Sequence, residues 1–192
     1  VHILNTAEEL FLEKGITNTS MVEIARAVGI TKVTLYRYFA NKDEIAFQIQ
    51  TKMLKRISEI SDSSDQPVTR EELKQKVHVL IENFSQLRDA YRYVGMFDQI
   101  YLDNPTDAAL TDWTKQQLLA SDWYRDSKLV GQDRYPIPAE RSVVMSSLTW
   151  FLEKLALRGE LSWSDSSIPL EEHLKIYEAM VLAYIEKMEA EV

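Results

Sequence analysis

Four cations lie in a short stretch of the chain that contains no acidic residue. Between positions 24 and 42 the stretch carries Arg26, Lys32, Arg37 and Lys42. Basic side chains bind phosphate oxygens, and arginine can also pair with O6 and N7 of guanine. The same four charges could equally form a solvated helix face. The elements that position them decide between these two interpretations.

Two short helices joined by a tight turn are predicted around these cations. A capping-box pattern at residues 20–23 starts the first helix, and Gly29 ends it after about two turns. Thr31 is a suitable N-cap for the second helix, which is predicted over residues 32–39. This arrangement is typical of a helix-turn-helix, whose second helix enters the major groove of DNA.

The second helix is predicted to have one polar face and one packed face. At about 100° per residue, one arc of roughly 140° holds Lys32, Val33, Tyr36 and Arg37. Leu35 and Tyr38 are predicted to point toward a core, with Phe39 closing the end. The polar arc offers cations for phosphate or guanine and an apolar group for the thymine methyl.

Residues 3 to about 54 resemble the DNA-binding domain of TetR-family transcriptional regulators. The matching stretch is ILNTAEELFLEKGITNTSMVEIARAVGITKVTLYRYFANKDEI. The resemblance implies an all-α protein with an N-terminal three-helix helix-turn-helix domain over residues 1–45. A helical ligand-binding and dimerisation domain is expected over residues 46–192, with about nine helices in all.

Carried over by position, the resemblance assigns eight residues to DNA. Phosphate contacts are implied for Ser20, Thr31, Tyr36 and Lys42. Base edges or nearby backbone are implied for Lys32, Val33, Thr34 and Arg37. Tyr38 and Phe39 match packed aromatic positions of the family. The alternatives are a solvated lysine for Lys42, a partly buried surface aromatic for Tyr36, and a phosphate or solvent contact for Arg37. Val33 departs from the family, which often has a smaller residue there, and a basic N-terminal arm is not seen before the first helix.

The net charge of −8 is unevenly distributed along the chain. Residues 1–60 carry eight basic and seven acidic side chains, whereas residues 61–192 carry fourteen basic and 23 acidic ones. Charge interactions are screened over roughly 8–10 Å at physiological salt, so a local basic face can act beside an acidic body. The acidic total therefore does not exclude DNA as a partner.

Catalytic chemistry is disfavoured by the residues that the chain lacks. The chain has no cysteine, which excludes disulfides, thiolate catalysis and zinc–thiolate sites. Three scattered histidines, His2, His78 and His173, show no metal-binding spacing, and no P-loop, GxGxxG or GxSxG pattern occurs. We expect no enzyme, cofactor or metal. Without a long apolar run or a signal-like start, the sequence predicts a cytoplasmic protein without a membrane contact.

An effector site is predicted among the aromatic residues in the middle of the chain. The candidate lining is Tyr93, Phe97, Tyr101, Trp113, Trp123 and Trp150. Ligand pockets are mostly apolar and aromatic, although aromatic residues at helical spacing more often form a core. The neighbouring acids Asp98, Asp112, Asp122 and Asp126 would favour a cationic ligand if one of them were buried.

The last two helices are predicted to form a dimer interface. Their apolar residues are Val144, Leu148, Phe151, Leu152 and Leu155 on one helix and Leu174, Tyr177, Met180, Val181, Tyr184 and Met188 on the other. Two such helices from each protomer can form a four-helix interface, although an intramolecular core fits the pattern equally well.

These features together predict a repressor. It would bind a palindromic double-stranded DNA operator as a homodimer and be released by a small-molecule effector. The alternatives are a helix-turn-helix interaction hub without ligand control, or a transcriptional activator.

Overall fold

The computed structural model describes residues 2–60, 69–102, 112, 114–116, 139–158 and 168–190, without the side chains of 139–142 and 188–190. Eight helices have defined bounds there: α1 (His2–Lys14), α2 (Met21–Val28), α3 (Lys32–Tyr36), α4 (Lys42–Ile60), α5 (Arg70–Glu82), α6 (Phe84–Tyr101), α7 (Ala139–Arg158) and α8 (Leu170–Ala190). The predicted all-α class is confirmed, and no described residue lies in a strand.

The predicted helix-turn-helix signals are present in the structure. The Ser20 hydroxyl accepts from the backbone N–H of Glu23, while the Glu23 carboxylate accepts from the backbone N–H of Ser20, which completes the capping box of α2. Gly29 ends α2 in the left-handed region at φ 79°, where a side chain would be strained. The Thr31 hydroxyl caps α3 by accepting from the backbone N–H of Thr34 at 3.1 Å.

The second helix of this motif is shorter than the sequence predicts, because α3 ends at Tyr36. The backbone N–H groups of Arg37 and Tyr38 bond to carbonyls three residues back, so the chain tightens and the 100° spacing no longer applies. The prediction that Tyr38 packs toward a core is wrong, since its side chain is 64% exposed. Leu35 and Phe39 are buried as predicted.

Helix α6 packs against α4 on one side and α7 on the other, and it joins the N-terminal helices to the rest of the chain. The Tyr93 hydroxyl donates to the carbonyl of Ala46 at 3.0 Å, and the Tyr101 hydroxyl donates to Asp43 Oδ1 at 2.7 Å. These bonds attach α6 to the first half of α4. The predicted boundary between residues 45 and 46 falls inside α4, and this division of the chain stays a prediction.

Helices α6 and α7 approach closely at Gly95. A Cβ atom at this position would lie 2.8 Å from Leu157 Cδ1 and 3.4 Å from Glu153 Cβ. Such separations are at or below van der Waals contact, so the missing side chain permits this packing. The contact places the buried residue Glu153 against α6.

The apolar residues of α7 and α8 divide into buried and exposed sets. Those buried within the chain are Val144, Leu148, Leu152 and Leu155 on α7 and Leu174, Val181 and Ile185 on α8. The alternative of an intramolecular core is therefore correct for most of the predicted α7 stripe. A different set remains exposed: Val143 and Trp150 on α7, and Ile176, Met180 and Tyr184 on α8.

Candidate nucleic-acid interface

The start of α2 presents a capped helix end on the surface. Besides capping, the Ser20 hydroxyl donates to Glu23 Oε2 at 2.9 Å. Hydrogen bonds from the backbone and side chain of Ser20 lower the pKa of Glu23, which keeps this carboxylate ionised. The Ser20 hydroxyl is thus already engaged, and the next backbone N–H groups, those of Met21 and Val22, are the unsatisfied donors of the first turn.

Helix α3 exposes the polar arc that its sequence predicts. Val33 is 74% exposed, and Lys32 and Arg37 are also exposed. The Thr31 and Thr34 hydroxyls lie 2.8 Å apart, so one of them donates to the other and the second keeps a proton free for another acceptor. Together with these two threonines, the arc presents one guanidinium, one ammonium, one threonine hydroxyl donor and an apolar group.

A surface depression of about 420 Å³ lies beside α3, and three elements contribute to it. Lys32 and Tyr36 come from α3, Lys42 comes from the start of α4, and the rest of the lining is residues 17–22. The Lys32 ammonium lies 5.5 Å from the centre of the Tyr36 ring, a cation–π contact that keeps both side chains on the same wall. Two ammonium groups, a phenol and a helix N-terminus form a suitable environment for a phosphate group.

Lys42 is bonded to the protein as well as lining this depression. Its ammonium donates to the carbonyl of Ile16 at 2.7 Å and to that of Thr17 at 3.1 Å. These bonds join the start of α4 to the turn between α1 and α2. The alternative of a freely solvated lysine is therefore wrong. An ammonium has three N–H donors, so one remains for an external acceptor.

The depression divides the eight predicted DNA residues into two groups. Four of them line it: Ser20, Lys32, Tyr36 and Lys42. The other four, Thr31, Val33, Thr34 and Arg37, lie outside it, at the N-terminus and along the outer side of α3. That these residues contact DNA stays a prediction. The sequence reasoning missed the wall formed by Thr17, Asn18 and Thr19, because turn residues between helices carry no pattern of their own.

The helix-turn-helix and its surroundings match a known family. The model of the bacterial regulatory proteins of the tetR family matches residues 3–49. Residues 3–49 of the chain thus resemble the TetR family. The match includes α1, α2, α3 and the first part of α4, and with them every residue that lines the depression.

Individual transcriptional regulators show the same similarity. The HTH-type transcriptional regulator AcrR of Shigella flexneri is 40% identical over 48 residues, which are 25% of this chain and 22% of that protein. The uncharacterized HTH-type transcriptional regulator YuxN of Bacillus subtilis is 33% identical over 91 residues, 45% of this chain and 31% of that protein. The chain spans between 22% and 40% of the length of the curated relatives that it matches here.

A solved structure extends the similarity in fold to most of the chain. A TetR-family transcription regulator from Marinobacter aquaeolei VT8 superposes with a TM-score of 0.55 over 95% of this chain and 92% of that one, at 22% identity. At that identity the likeness concerns the fold alone. The matched family and the curated relatives named above are regulatory proteins.

Metal sites and membrane spans are absent from the part of the chain that the structure describes. No described group of three or more His, Asp or Glu side chains is arranged to hold a metal ion. No described helix is both long and apolar enough to cross a membrane.

The residues predicted to line an effector site have different positions. Tyr93, Phe97 and Tyr101 are buried where α6 meets α1 and α4, and the rings of Phe97 and Tyr101 are stacked at 4.5 Å. Trp150 is 61% exposed on α7, where the Lys154 ammonium lies 5.9 Å from its ring. Trp113 and Trp123 lie outside the described residues, as do Asp122 and Asp126. That any of these residues binds an effector stays a prediction.

Proposed function

We propose that the chain is a sequence-specific DNA-binding transcriptional regulator that represses transcription in the cytoplasm. It binds a palindromic operator as a homodimer, and a small-molecule effector in the helical body releases it. The observation that carries this proposal is the convergence of Lys32, Tyr36 and Lys42 on one depression beside an exposed recognition helix.

The geometry supports a division of labour at the DNA. With α3 in the major groove, the outward side chains of Val33 and Arg37 reach the bases, where a valine methyl suits thymine and a guanidinium suits guanine. The depression then receives a backbone phosphate, which sets the register of the helix without reading sequence. Sequence preference should therefore depend on Val33 and Arg37, and general affinity on Lys32 and Lys42.

The exposed apolar side chains of the last two helices support a homodimer. Ile176, Met180 and Tyr184 recur at four-residue intervals and form one stripe on α8, which we call the α8 stripe. Trp150 and Val143 are exposed on α7. Exposed apolar patches of this kind mark interaction sites, and a second copy supplies a complementary one by symmetry. Two protomers then present two recognition helices to two half-sites.

Effector control requires that the DNA-binding conformation be coupled to the body. The bonds of Tyr93 and Tyr101 from α6 to α4, together with the bonds of Lys42 to the α1–α2 turn, supply a continuous path. A ligand that favours a different position of α6 would move α4 and change the separation of the recognition helices. It can do so only to the extent that it binds the two conformations with different affinities.

Selection from a random duplex pool tests the proposal directly. The purified full chain is expected to enrich one palindromic sequence, with lower affinity for scrambled duplex. Arg37→Ala should relax the preference at one position in each half-site, whereas Lys32→Ala should weaken binding to selected and scrambled duplexes alike. Placing the selected site at a promoter in a reporter strain should lower expression when the chain is present.

Two outcomes would contradict parts of this proposal. Failure to enrich any sequence would overturn the regulator and favour the interaction hub. A rise in reporter expression in place of a fall would establish an activator.

A further inference from the structure

Four residues of the recognition helix and its C-terminal end are the candidates for contact with base edges, and the structure leaves them unequally free. A side chain reads a base with the same group that it would otherwise use inside the protein, so its existing contacts matter. The candidates are Lys32, Val33, Thr34 and Arg37.

Two of the four are engaged elsewhere. The Lys32 ammonium lies 5.5 Å from the centre of the Tyr36 ring and lines the depression beside α3. Thr34 is half-buried, its hydroxyl lies 2.8 Å from that of Thr31, and its backbone N–H donates to the same Thr31 hydroxyl at 3.1 Å. These contacts favour a phosphate for Lys32 and the helix cap for Thr34.

The other two are free to contact DNA. Val33 is the most exposed of the large apolar side chains that the structure describes. Arg37 is exposed, and its guanidinium has no hydrogen bond or ion pair with any described residue. Covering an exposed apolar side chain with another apolar group is favourable, so Val33 gains from contact with an apolar base substituent. The fold thus reserves one apolar group and one guanidinium for the bases.

The spacing of this pair matches a single step between base pairs. Arg37 keeps right-handed helical angles, φ −75° and ψ −23°, so it follows Val33 by one turn on the same side. Side chains four residues apart on a helix have Cβ atoms about 5–6 Å apart. Neighbouring base pairs are separated by about 3.4 Å along the duplex. The long arginine side chain can adjust to this smaller separation, which puts the two contacts on adjacent base pairs.

The chemistry of the two side chains specifies what each can recognise. A guanidinium pairs with O6 and N7 of guanine. A valine side chain has no donor or acceptor, and the apolar group that a base presents in the major groove is the C5-methyl of thymine. 5-Methylcytosine carries the same methyl group at the same ring position, whereas cytosine and uracil lack it. Val33 can therefore detect the methyl group on either pyrimidine.

We propose that the recognition helix reads a C5-methylated pyrimidine beside a guanine, with Val33 on the methyl group and Arg37 on the guanine. Methylation of a cytosine at that position should then strengthen binding. The inference rests on the proposed function, since it names the base-pair step that the same surface reads. The sequence offered four candidates, and contacts made by two of them in the folded chain reduce the set.

Single-base substitution in the selected duplex tests the proposal with the full chain. The site enriched from the random pool should contain a thymine next to a guanine in each half-site. Deoxyuridine at that thymine removes only the methyl group and should weaken binding about three- to fivefold, the value of roughly one buried methyl group. A cytosine–guanine pair placed there should bind more tightly, by about the same factor, when the cytosine is 5-methylated. Equal affinity within either matched pair of duplexes, or a selected site without this step, would overturn the proposal.

Three variants locate the contacts. Val33→Ala should largely abolish the difference between the thymine and uracil duplexes, because alanine lacks both valine methyl groups, and the exposed position should leave folding intact. Lys32→Ala is the matched control, and it should weaken both duplexes while keeping their affinity ratio. Replacing the guanine by 7-deazaguanine removes N7, which should weaken the parent several-fold and leave Arg37→Ala unchanged. An undiminished methyl effect in Val33→Ala would contradict the assignment.

The outcomes separate this inference from the proposed function. A chain that selects a palindromic site but binds methylated and unmethylated pyrimidines alike overturns the methyl contact and leaves the regulator. A chain that enriches no sequence contradicts the proposed function, and the inference falls with it.

Discussion

At the scale of single residues, Lys42 combines a structural contact with a position on the proposed DNA surface. Two of its three ammonium donors bond to the carbonyls of Ile16 and Thr17, and the side chain also lines the depression beside α3. Lys32 lines the same depression, where its ammonium faces the Tyr36 ring. The two lysines thus form a natural pair for separating folding from binding.

Replacing each lysine by alanine should have different effects on stability. Lys42→Ala leaves two carbonyls without their charged donor, so we expect the free energy of unfolding to fall by about 1–3 kcal/mol. Lys32→Ala removes an exposed cation and should change it by less than about 0.5 kcal/mol. Both should weaken binding to any duplex and lower the slope of log affinity against log salt by about one. Urea unfolding and salt titrations measure the two quantities.

The outcome for Lys42 discriminates between its two tasks. An unchanged salt slope with lowered stability would remove the phosphate contact and leave the structural one. A lowered slope with unchanged stability would show that its carbonyl bonds contribute nothing measurable to folding.

Local sequence signals predicted the helix caps of the helix-turn-helix, but they did not predict contacts between residues far apart in the sequence. Ser20, Thr31 and Gly29 act over three or four residues, so their types alone indicate where α2 and α3 begin and end. The bond from Lys42 to Ile16 spans 26 positions and has no sequence signal. The prediction that Tyr38 is packed fails because the 100° spacing assumes a helix that continues to residue 39, whereas α3 ends at Tyr36.

At the scale of elements, α8 is attached to α5 by a pair that responds to pH. His78 Nδ1 of α5 lies 2.7 Å from Glu178 Oε1 of α8, and Glu82 is 3.8 Å from the other ring nitrogen. The hydrogen bond with Glu178 is the main reason that the pKa of His78 is raised. The stabilisation is therefore fully present below the unfolded pKa of about 6.5 and is lost as pH rises through the folded pKa.

The pair should become visible when the Tm is followed with pH. His78→Gln is expected to lower the Tm more at about pH 5.5 than at about pH 8.5, where the parent has lost the charged contact. The effect should be small because the histidine is largely exposed. Glu178→Gln should show the same dependence, and the double variant should add little to either single one. Additive effects at low pH would mean that the two side chains do not interact.

The packing of α6 on α7 depends on the absence of a side chain at Gly95. Gly95→Val would put its Cβ within 2.8 Å of Leu157 and add two methyl groups there. We expect the free energy of unfolding to fall by about 1–3 kcal/mol, as is usual for overpacking. Gln99→Val, on an exposed position of the same helix, is the control and should stay within about 0.5 kcal/mol. Equal effects of the two substitutions in urea unfolding would show that the helices are free to separate at this point.

The pattern of α7 and α8 identified helices but not their partners. Apolar residues at helical spacing predicted both elements, and both have more than one apolar face. On α7 the stripe that includes Leu148 and Leu152 packs inside the chain. On α8 the buried Val181 is followed by the exposed Tyr184 and the buried Ile185. Periodicity therefore did not indicate which face of α8 remains exposed. That choice depends on where α5 and α6 lie, which is a property of the tertiary fold.

At the scale of the whole molecule, the distribution of charge sets the conditions for binding DNA. The first 60 residues carry a net charge of +1 and the remainder carries −9. The proposed dimer would therefore have two weakly basic N-terminal segments on an acidic body that repels the duplex. Contacts that neutralise phosphates release counterions, so affinity should fall steeply as salt rises. Weak attraction by each domain alone also means that useful affinity requires both domains on one duplex.

The proposed dimer should be disrupted by acidic substitutions in the α8 stripe. Met180 is 65% exposed and Tyr184 is 47% exposed, so an acidic residue at either position should leave the folded protomer stable and introduce repulsion across a symmetric interface. Sedimentation should give the parent twice the protomer mass of 22.3 kDa and give Met180→Glu or Tyr184→Glu that mass itself. The monomeric variants should bind a full palindrome no more tightly than a single half-site. Gln99→Glu introduces the same charge at an exposed position of α6, and this variant should remain dimeric. A parent that sediments as a monomer, or a Met180→Glu variant that keeps both its mass and its operator affinity, would place the interface elsewhere or remove it.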